Sequence, residues 1–184
     1  RSNLPTAVSS ATYNANNQLT NWGGTTLTYD NNGNLLTNGT NTHTWNARDQ
    51  LASISGGVAA SFGYDAFNRR RTKTIAAVTT DFLYDGLNFV QEKNGATIKA
   101  NLLTGLAIDE VFRRTQGAVT SDVLPDALGS SLALPDSTKA ITTQYTYAPY
   151  GTTTQPGAAN ENSQKFTGRE EDGTTGLYYY RARY

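Results

Sequence analysis

Glu170-Glu171-Asp172 is the densest group of carboxylates in the 184-residue chain. Neighbouring carboxylates push each other's pKa values apart, which is the condition for dividing acid from base in a hydrolysis. The competing reading is a solvated turn at Asp172-Gly173 whose charges face Arg169, Arg181 or Arg183, and that turn is the expected one. His43 is the only histidine and stands between Thr42 and Thr44 in a strand-like run. Neither a multi-histidine metal site nor a Ser-His-Asp arrangement can be assembled around it, so it reads as strand filler. Asp30-Asn31-Asn32-Gly33-Asn34 begins like a calcium loop, but the sixth and twelfth positions, which need Gly and Glu, are Leu35 and Asn41. No catalytic, cofactor or metal set is expected, and the chain reads as no enzyme.

Three further groups offer binding rather than catalysis. Arg69-Arg70-Arg71-Thr72-Lys73 is the one basic run, and strand alternation sets Arg70 on the face opposite Arg69 and Arg71, which favours a solvated strand over a phosphate site. The sequon Asn38-Gly39-Thr40 is equally satisfied by a hairpin turn. The closing string Leu177-Tyr-Tyr-Tyr-Arg-Ala-Arg-Tyr184, read as a strand, places Tyr178, Tyr180, Ala182 and Tyr184 on one face. Tyr179, Arg181 and Arg183 share the other, a candidate surface for a sugar ring or a cell surface.

Fifteen basic and fifteen acidic residues cancel, so no long-range field gathers nucleic acid, and that partner is not expected. The absence of cysteine excludes a disulfide framework and thiolate metal sites. No apolar run approaches the roughly 20 residues of a membrane span. The absence of methionine, and an opening Arg1-Ser2-Asn3-Leu4-Pro5 without signal-peptide blocks, make the chain read as a fragment.

Order is strongest in the spacing of rings. Tyr13-Asn14, Tyr29-Asp30, Trp45-Asn46, Tyr64-Asp65 and Tyr84-Asp85 recur at steps of 16, 16, 19 and 20 residues. Tyr13 to Leu19, Tyr29 to Leu35 and Trp45 to Leu51 align without gaps. The unit reads as a hairpin: a ring in the outgoing strand, Asx bonding the backbone ahead, Gly33, Asn17 or Asn68 tolerating positive φ, and leucine returning to meet the ring. Tyr29, Leu35, Trp45, Leu51, Tyr64 and Tyr84 are expected on the packed side. Turn signals at Asn38-Gly39, Gly56-Gly57 and Asn94-Gly95 supply the reversals between units. Leu102 to Arg114 is the one ambiguous stretch and is assigned as strand.

Residues 122–184 contain Asp126-Ala-Leu-Gly-Ser-Ser131, Tyr145-Thr-Tyr-Ala-Pro-Tyr-Gly151 and Phe166-Thr-Gly-Arg-Glu-Glu-Asp-Gly-Thr-Thr-Gly-Leu-Tyr-Tyr-Tyr-Arg-Ala-Arg-Tyr184. This segment closely resembles the Rhs repeat-associated core, and the upstream units resemble YD repeats. The family usually has His where this chain has Ala127 and Asp where it has Ala148, and Asn14 and Asn46 replace the usual Asp. The resemblance implies a bacterial, secreted or surface protein related to toxin-complex components and teneurins. In that family a β-ribbon winds into a shell that encloses a C-terminal toxin, and an aspartate-based self-cleavage site often lies beyond the Tyr-Arg-Ala-Arg-Tyr string.

The expected fold is therefore all-β: repeated antiparallel β-hairpins forming a ribbon or partial shell. YD-repeat hairpins occupy 1–121, and the core segment, continuous with them, occupies 122–184. The expected role is structural, with a carbohydrate- or cell-surface-binding module and a part of a self-cleaving shell as alternatives. Partners are expected at strand edges, either the rest of the parent chain or copies of this one. Only Arg1 and Asp30 charge the first forty-two residues, too few to block strand addition.

Overall fold

The computed structural model describes residues 10–184, and one hydrogen-bonded turn recurs through it. Asn14, Asp30, Asn46, Asp65, Asp126 and Asp136 each accept, on one side-chain oxygen, the amides two and four residues ahead at 2.8–3.1 Å. Each also donates its own amide to the carbonyl four residues ahead and accepts the amide three ahead. The residue three ahead has positive φ in every case: Asn17, Gly33, Asp49, Asn68, Gly129 and Lys139. Asx in the first position satisfies two amides that the reversal would otherwise leave bare. Ala148 repeats the backbone pattern, with Gly151 at φ 86°, but has no side-chain acceptor.

The chain divides into two compact units, 1–61 and 62–184. The first contains β1 (Ala11–Tyr13), β2 (Leu19–Trp22), β3 (Thr25–Thr26), β4 (Thr28–Tyr29), β5 (Leu35–Thr37), β6 (Asn41–Trp45), β7 (Leu51–Gly56) and the start of β8 (Ala60–Tyr64). Strands β1–β3 form one antiparallel sheet, and β4 to β8 pair antiparallel in chain order. Ring and leucine are direct cross-strand partners, Tyr13 with Leu19, Tyr29 with Leu35 and Trp45 with Leu51, each beside a bulge. Leu51 and Ile54 are buried, Tyr29, Leu35 and Trp45 are half-buried, and Tyr13 is 59% exposed. Its leucine partner Leu19 is itself only half-buried. Arg1, counted above as an edge charge, lies outside the described residues.

The second unit continues β8 and adds β9 (Arg70–Ile75), β10 (Val78–Asp85), β11 (Asn88–Asn94), β12 (Thr97–Thr104), β13 (Val111–Gln116) and β14 (Val119–Asp122), again antiparallel in chain order. Then come β15 (Leu124–Pro125), β16 (Ser131–Pro135), β17 (Ile141–Gln144), the pair β18 (Thr146–Tyr147) and β19 (Thr153–Thr154), and the pair β20 (Glu170–Glu171) and β21 (Tyr178–Tyr179). Its core gathers Phe82, Phe89, Ala100, Leu102, Leu134 and Tyr145. Phe82 and Phe89 meet edge-on at 5.0 Å, a geometry worth about 0.5–1.5 kcal/mol beyond area burial. Residues 121 and 122 fall inside this unit, where the Val123 amide bonds the Phe112 carbonyl and the Val123 side chain joins the core.

Two expectations change here. Tyr84-Asp85 does not make the six-residue turn: Asp85 pairs directly with Asn88 across the two-residue turn Gly86-Leu87, because the chain lacks the extra positions over which Asx could reach forward amides. Leu102 to Arg114 is not one strand, since residues 105–110 form a loop closed by the Gly105 amide on the Glu110 carbonyl.

Candidate functional site

Strand alternation on β9 turns Arg70 inward, and its guanidinium is fully buried. Nη1 donates to Asp172 Oδ2 and, at 2.7 Å, to the Tyr184 hydroxyl, while Nη2 reaches Asp172 Oδ1 at 3.0 Å and Glu170 Oε2 at 2.6 Å. Lys73, three residues further along β9, donates to Glu170 Oε1 at 2.5 Å and Asp172 Oδ1 at 3.1 Å. Two cations therefore face two carboxylates, so the buried group is formally neutral. The Tyr179 ring lies 4.2 Å from the Arg70 guanidinium carbon, and its hydroxyl accepts the Arg70 amide at 3.3 Å. Tyr84 donates its hydroxyl to the Arg70 carbonyl at 2.9 Å.

The environment sets the charges. Burial alone would push the Glu170 carboxyl up, but Arg70 and Lys73 overcome it and hold the group below its ordinary value. Burial would likewise lower Lys73, and Glu170 and Asp172 reverse that. Burial drives the Tyr64 hydroxyl up to about 12. On β11, Glu92 pairs with Arg114 at 2.5 Å, yet burial outweighs the pairing and raises its pKa.

A second cluster has the opposite polarity. Asp109, in the loop before β13, receives Arg169 on Oδ2 and Arg181 on both oxygens. Arg181 also donates to the Leu87 carbonyl at 2.5 Å, with its own φ at 66°. In the first cluster β9 supplies cations and residues 170–172 supply carboxylates; in the second the loop supplies the carboxylate and residues 169–181 supply cations. Only one register of the closing segment satisfies both. Just before it, Ser131 donates its amide to Lys165 O at 3.1 Å.

Several sequence readings are corrected by this geometry. Glu170 and Asp172 are not a solvated turn, because they neutralise inward-facing cations from a distant strand; Glu171 pairs with Lys165 at 2.5 Å. The basic run is not a solvated strand, since Arg70 is buried, although Arg71 is exposed. Tyr179 is 6% exposed and is no surface-binding residue, because its ring covers Arg70. The closing string does not alternate as a strand beyond β21: the Tyr180 amide bonds Arg183 O and the chain turns back, bringing Tyr184 to 5.1 Å from Phe62 and 5.2 Å from Tyr179. Arg181 is half-buried on Asp109, and Arg183 is exposed. Asp30 and Asp65 cap turns, and Asp65 also holds Arg69 at 2.7 Å. The Arg70–Asp172 pairing was missed because nothing local links them, although alternation had already separated Arg70 from its neighbours.

Beside these clusters lies a cleft of about 400 Å³ bordered by Lys73, Glu92, Lys99, Lys165 and Glu171. Among the described residues no group of three or more His, Asp or Glu could hold a metal ion. No helix of the described residues is long and apolar enough to cross a membrane.

No family model matches the chain. Over 183 residues it is 30% identical to the tRNA3(Ser)-specific nuclease WapA of Bacillus spizizenii and 30% identical to the tRNA nuclease WapA of Bacillus subtilis. Each alignment covers 95% of this chain and 8% of the relative's length. The crystal structure of TcdB2-TccC3 superposes with a TM-score of 0.64 at 22% identity, covering 85% of this chain and 9% of that one. A Photorhabdus luminescens Tc holotoxin pore carrying a TccC3 mutation gives 0.61 at 20% identity, with 95% and 11% covered. These superpositions establish a shared fold. The expectation of no enzyme is overturned by the names of the relatives matched along nearly the whole chain, which are tRNA nucleases.

Proposed function

We propose that the chain is a wall segment of an Rhs-type shell in an exported bacterial protein, one whose activity is of the nuclease class for which its relatives are named. The observation that carries this reading is the alignment itself: 95% of the chain matches within 8% of a much longer nuclease, at the fold seen in Tc toxin chains. The chain is then one stretch of a long β-ribbon, and its closing segment is fixed to the ribbon by two oppositely charged clusters. Such clusters suit a wall that must hold its last residues in one place. The glycan-binding alternative loses Tyr179, whose ring is buried.

The test uses the full parent protein. Limited proteolysis is expected to leave a large resistant body containing this chain and extending beyond it, and Glu170→Ala with Asp172→Ala is expected to open that body to cleavage. Flanking polypeptide that is digested while this chain alone survives would overturn the wall reading. Total tRNA incubated with the parent should be cut; intact tRNA would remove the nuclease part.

A further inference from the structure

Among the described residues Lys73 is the one lysine that faces two carboxylates, Glu170 Oε1 at 2.5 Å and Asp172 Oδ1 at 3.1 Å. Lys139 and Lys165 each hold a single one, Asp122 and Glu171. The surroundings of Lys73 exclude water: Asp172 has no exposed surface, and the side chains of Glu170 and Lys73 keep 5% and 14%. The Phe82 ring lies 5.6 Å from Nζ, and the Tyr179 ring covers the adjacent Arg70. Arg70 in turn grips both oxygens of Asp172, with Nη1 on Oδ2 and Nη2 on Oδ1 at 3.0 Å.

An amine, a carboxyl carbon and a second carboxylate in contact are the parts of an amide-forming reaction. In water an ammonium and a carboxylate remain ions because both are hydrated, and burial takes that hydration away. Holding amine and carboxyl as neighbours also turns a bimolecular encounter into an internal one, with effective molarities on the order of 10⁵–10⁸ M where alignment is good. Glu170 stands at hydrogen-bond distance from Nζ, where it can take the proton that blocks the amine's lone pair. Arg70 Nη1 donates to Oδ2, the oxygen on which negative charge grows as the carboxyl carbon becomes tetrahedral.

We propose that Lys73 and Asp172 join through an intramolecular amide bond, with Glu170 carrying the protons. Nζ bonds to Cγ of Asp172, and the Cγ–Oδ1 bond breaks. Of the three ammonium protons, one stays on the amide nitrogen and two pass by way of Glu170 to Oδ1, which leaves as water. The positive charge of Lys73 and the negative charge of Asp172 vanish together, so no co-reactant is needed. Four buried charges become two, Arg70 and Glu170, which stay paired at 2.6 Å, and the desolvation cost of the cluster falls accordingly. Oδ2 remains as the amide oxygen and keeps its bond from Arg70. The product ties β9 covalently to the closing segment across 99 positions.

The intact mass of the 184-residue chain, measured in denaturant after folding, tests the bond. The wild type is expected to weigh one water less than its sequence. Lys73→Arg and Glu170→Gln should keep the full mass, with circular dichroism verifying the wild-type fold of each. Trypsin should release from the wild type a branched peptide joining residues 72–93 to residues 170–181, because it does not cut after a lysine whose amine is in an amide. That peptide reports the bond in the wild-type chain itself, so the outcome does not depend on a variant's folding. Full sequence mass in the folded wild type would overturn the proposal. A water loss that persists in Lys73→Arg would overturn it as well, assigning the loss to ring closure of Asp172 on the Gly173 amide. A Glu170→Gln chain that yields the branched peptide as fast as wild type would overturn the part given to Glu170.

Discussion

Arg70 and Asp172, 102 positions apart, meet at two points with no exposed surface on either residue. Removing one partner of a buried pair strands the other charge, which costs about 3–5 kcal/mol, whereas replacing both with apolar groups is often neutral. Asp172→Ala is expected to destabilise the second unit by that amount, and Arg70→Leu with Asp172→Leu by much less. Urea unfolding followed by tyrosine circular dichroism checks both. Equal losses would mean that the pair itself, and not the stranded charge, sets the stability.

Glu170 and Glu92 should give the unit opposite pH slopes. The folded pKa of Glu170 lies below the ordinary glutamate value of 4.5, so its contribution is complete above that pH and is lost as pH falls through the folded value. Burial raises the folded pKa of Glu92 above 4.5, so its contribution is present below 4.5 and is lost as pH rises through the folded value. Glu170→Gln should flatten acid destabilisation, and Glu92→Gln should steepen it. Melting temperatures recorded from pH 3 to 7 decide, and matching profiles for the two variants would refute the assignment.

His43 is 4% exposed, its Nδ1 has no hydrogen-bond partner among the described residues, and burial lowers its pKa below the usual 6.5. The stability it supports is full above 6.5 and falls as acidification protonates the unfolded chain first. Trp22 and Trp45, the only tryptophans, both lie in the first unit and report it selectively. Their fluorescence should show a lower urea midpoint at pH 5 than at pH 7, with the difference absent in His43→Leu.

Ala148 sits where six other turns have Asx, and the amides of Tyr150 and Thr152 occupy the positions that Asx would accept. Ala148→Asp should stabilise the second unit by about 0.5–1.5 kcal/mol, the net value of an ordinary hydrogen bond. An unchanged melting temperature would place those amides out of reach.

Gly56 has φ 109°, and a Cβ built there would stand 2.3 Å from the Thr40 carbonyl oxygen. Backbone cannot yield as a side-chain end can, so Gly56→Ala is expected to cost more than about 2 kcal/mol, within the strain range for forced φ combined with a clash. The tryptophan-monitored urea midpoint measures it, and a loss under about 0.5 kcal/mol would show that the β6–β7 hairpin end can open.

The pairing of Tyr13, Tyr29 and Trp45 with Leu19, Leu35 and Leu51 is legible in sequence because the turn is local: Asx and the amides it satisfies lie within four residues. The same locality makes the Asp126 and Asp136 turns readable in hindsight, although no tyrosine precedes them and the ring spacing therefore passes over both. Alternation separates Arg70 from Arg69 and Arg71 but cannot say which face meets water, since that depends on Tyr179 and Tyr184 arriving from the far end of the chain. Asp109 is illegible for the same reason: an acid in an ambiguous stretch acquires its two arginines only once the ribbon is folded.

The 102-residue separation of Arg70 from Asp172 is also an interval of time. At the usual ~5–20 residues per second, β9 leaves the ribosome roughly 5–20 seconds before the carboxylates that neutralise it exist. Throughout that wait its inward cations keep their water, and the hairpins around them cannot close over a dry interior. The second unit therefore cannot close over Arg70 before residues 170–172 arrive, so a nascent chain interrupted before Glu170 stays unfinished at its centre.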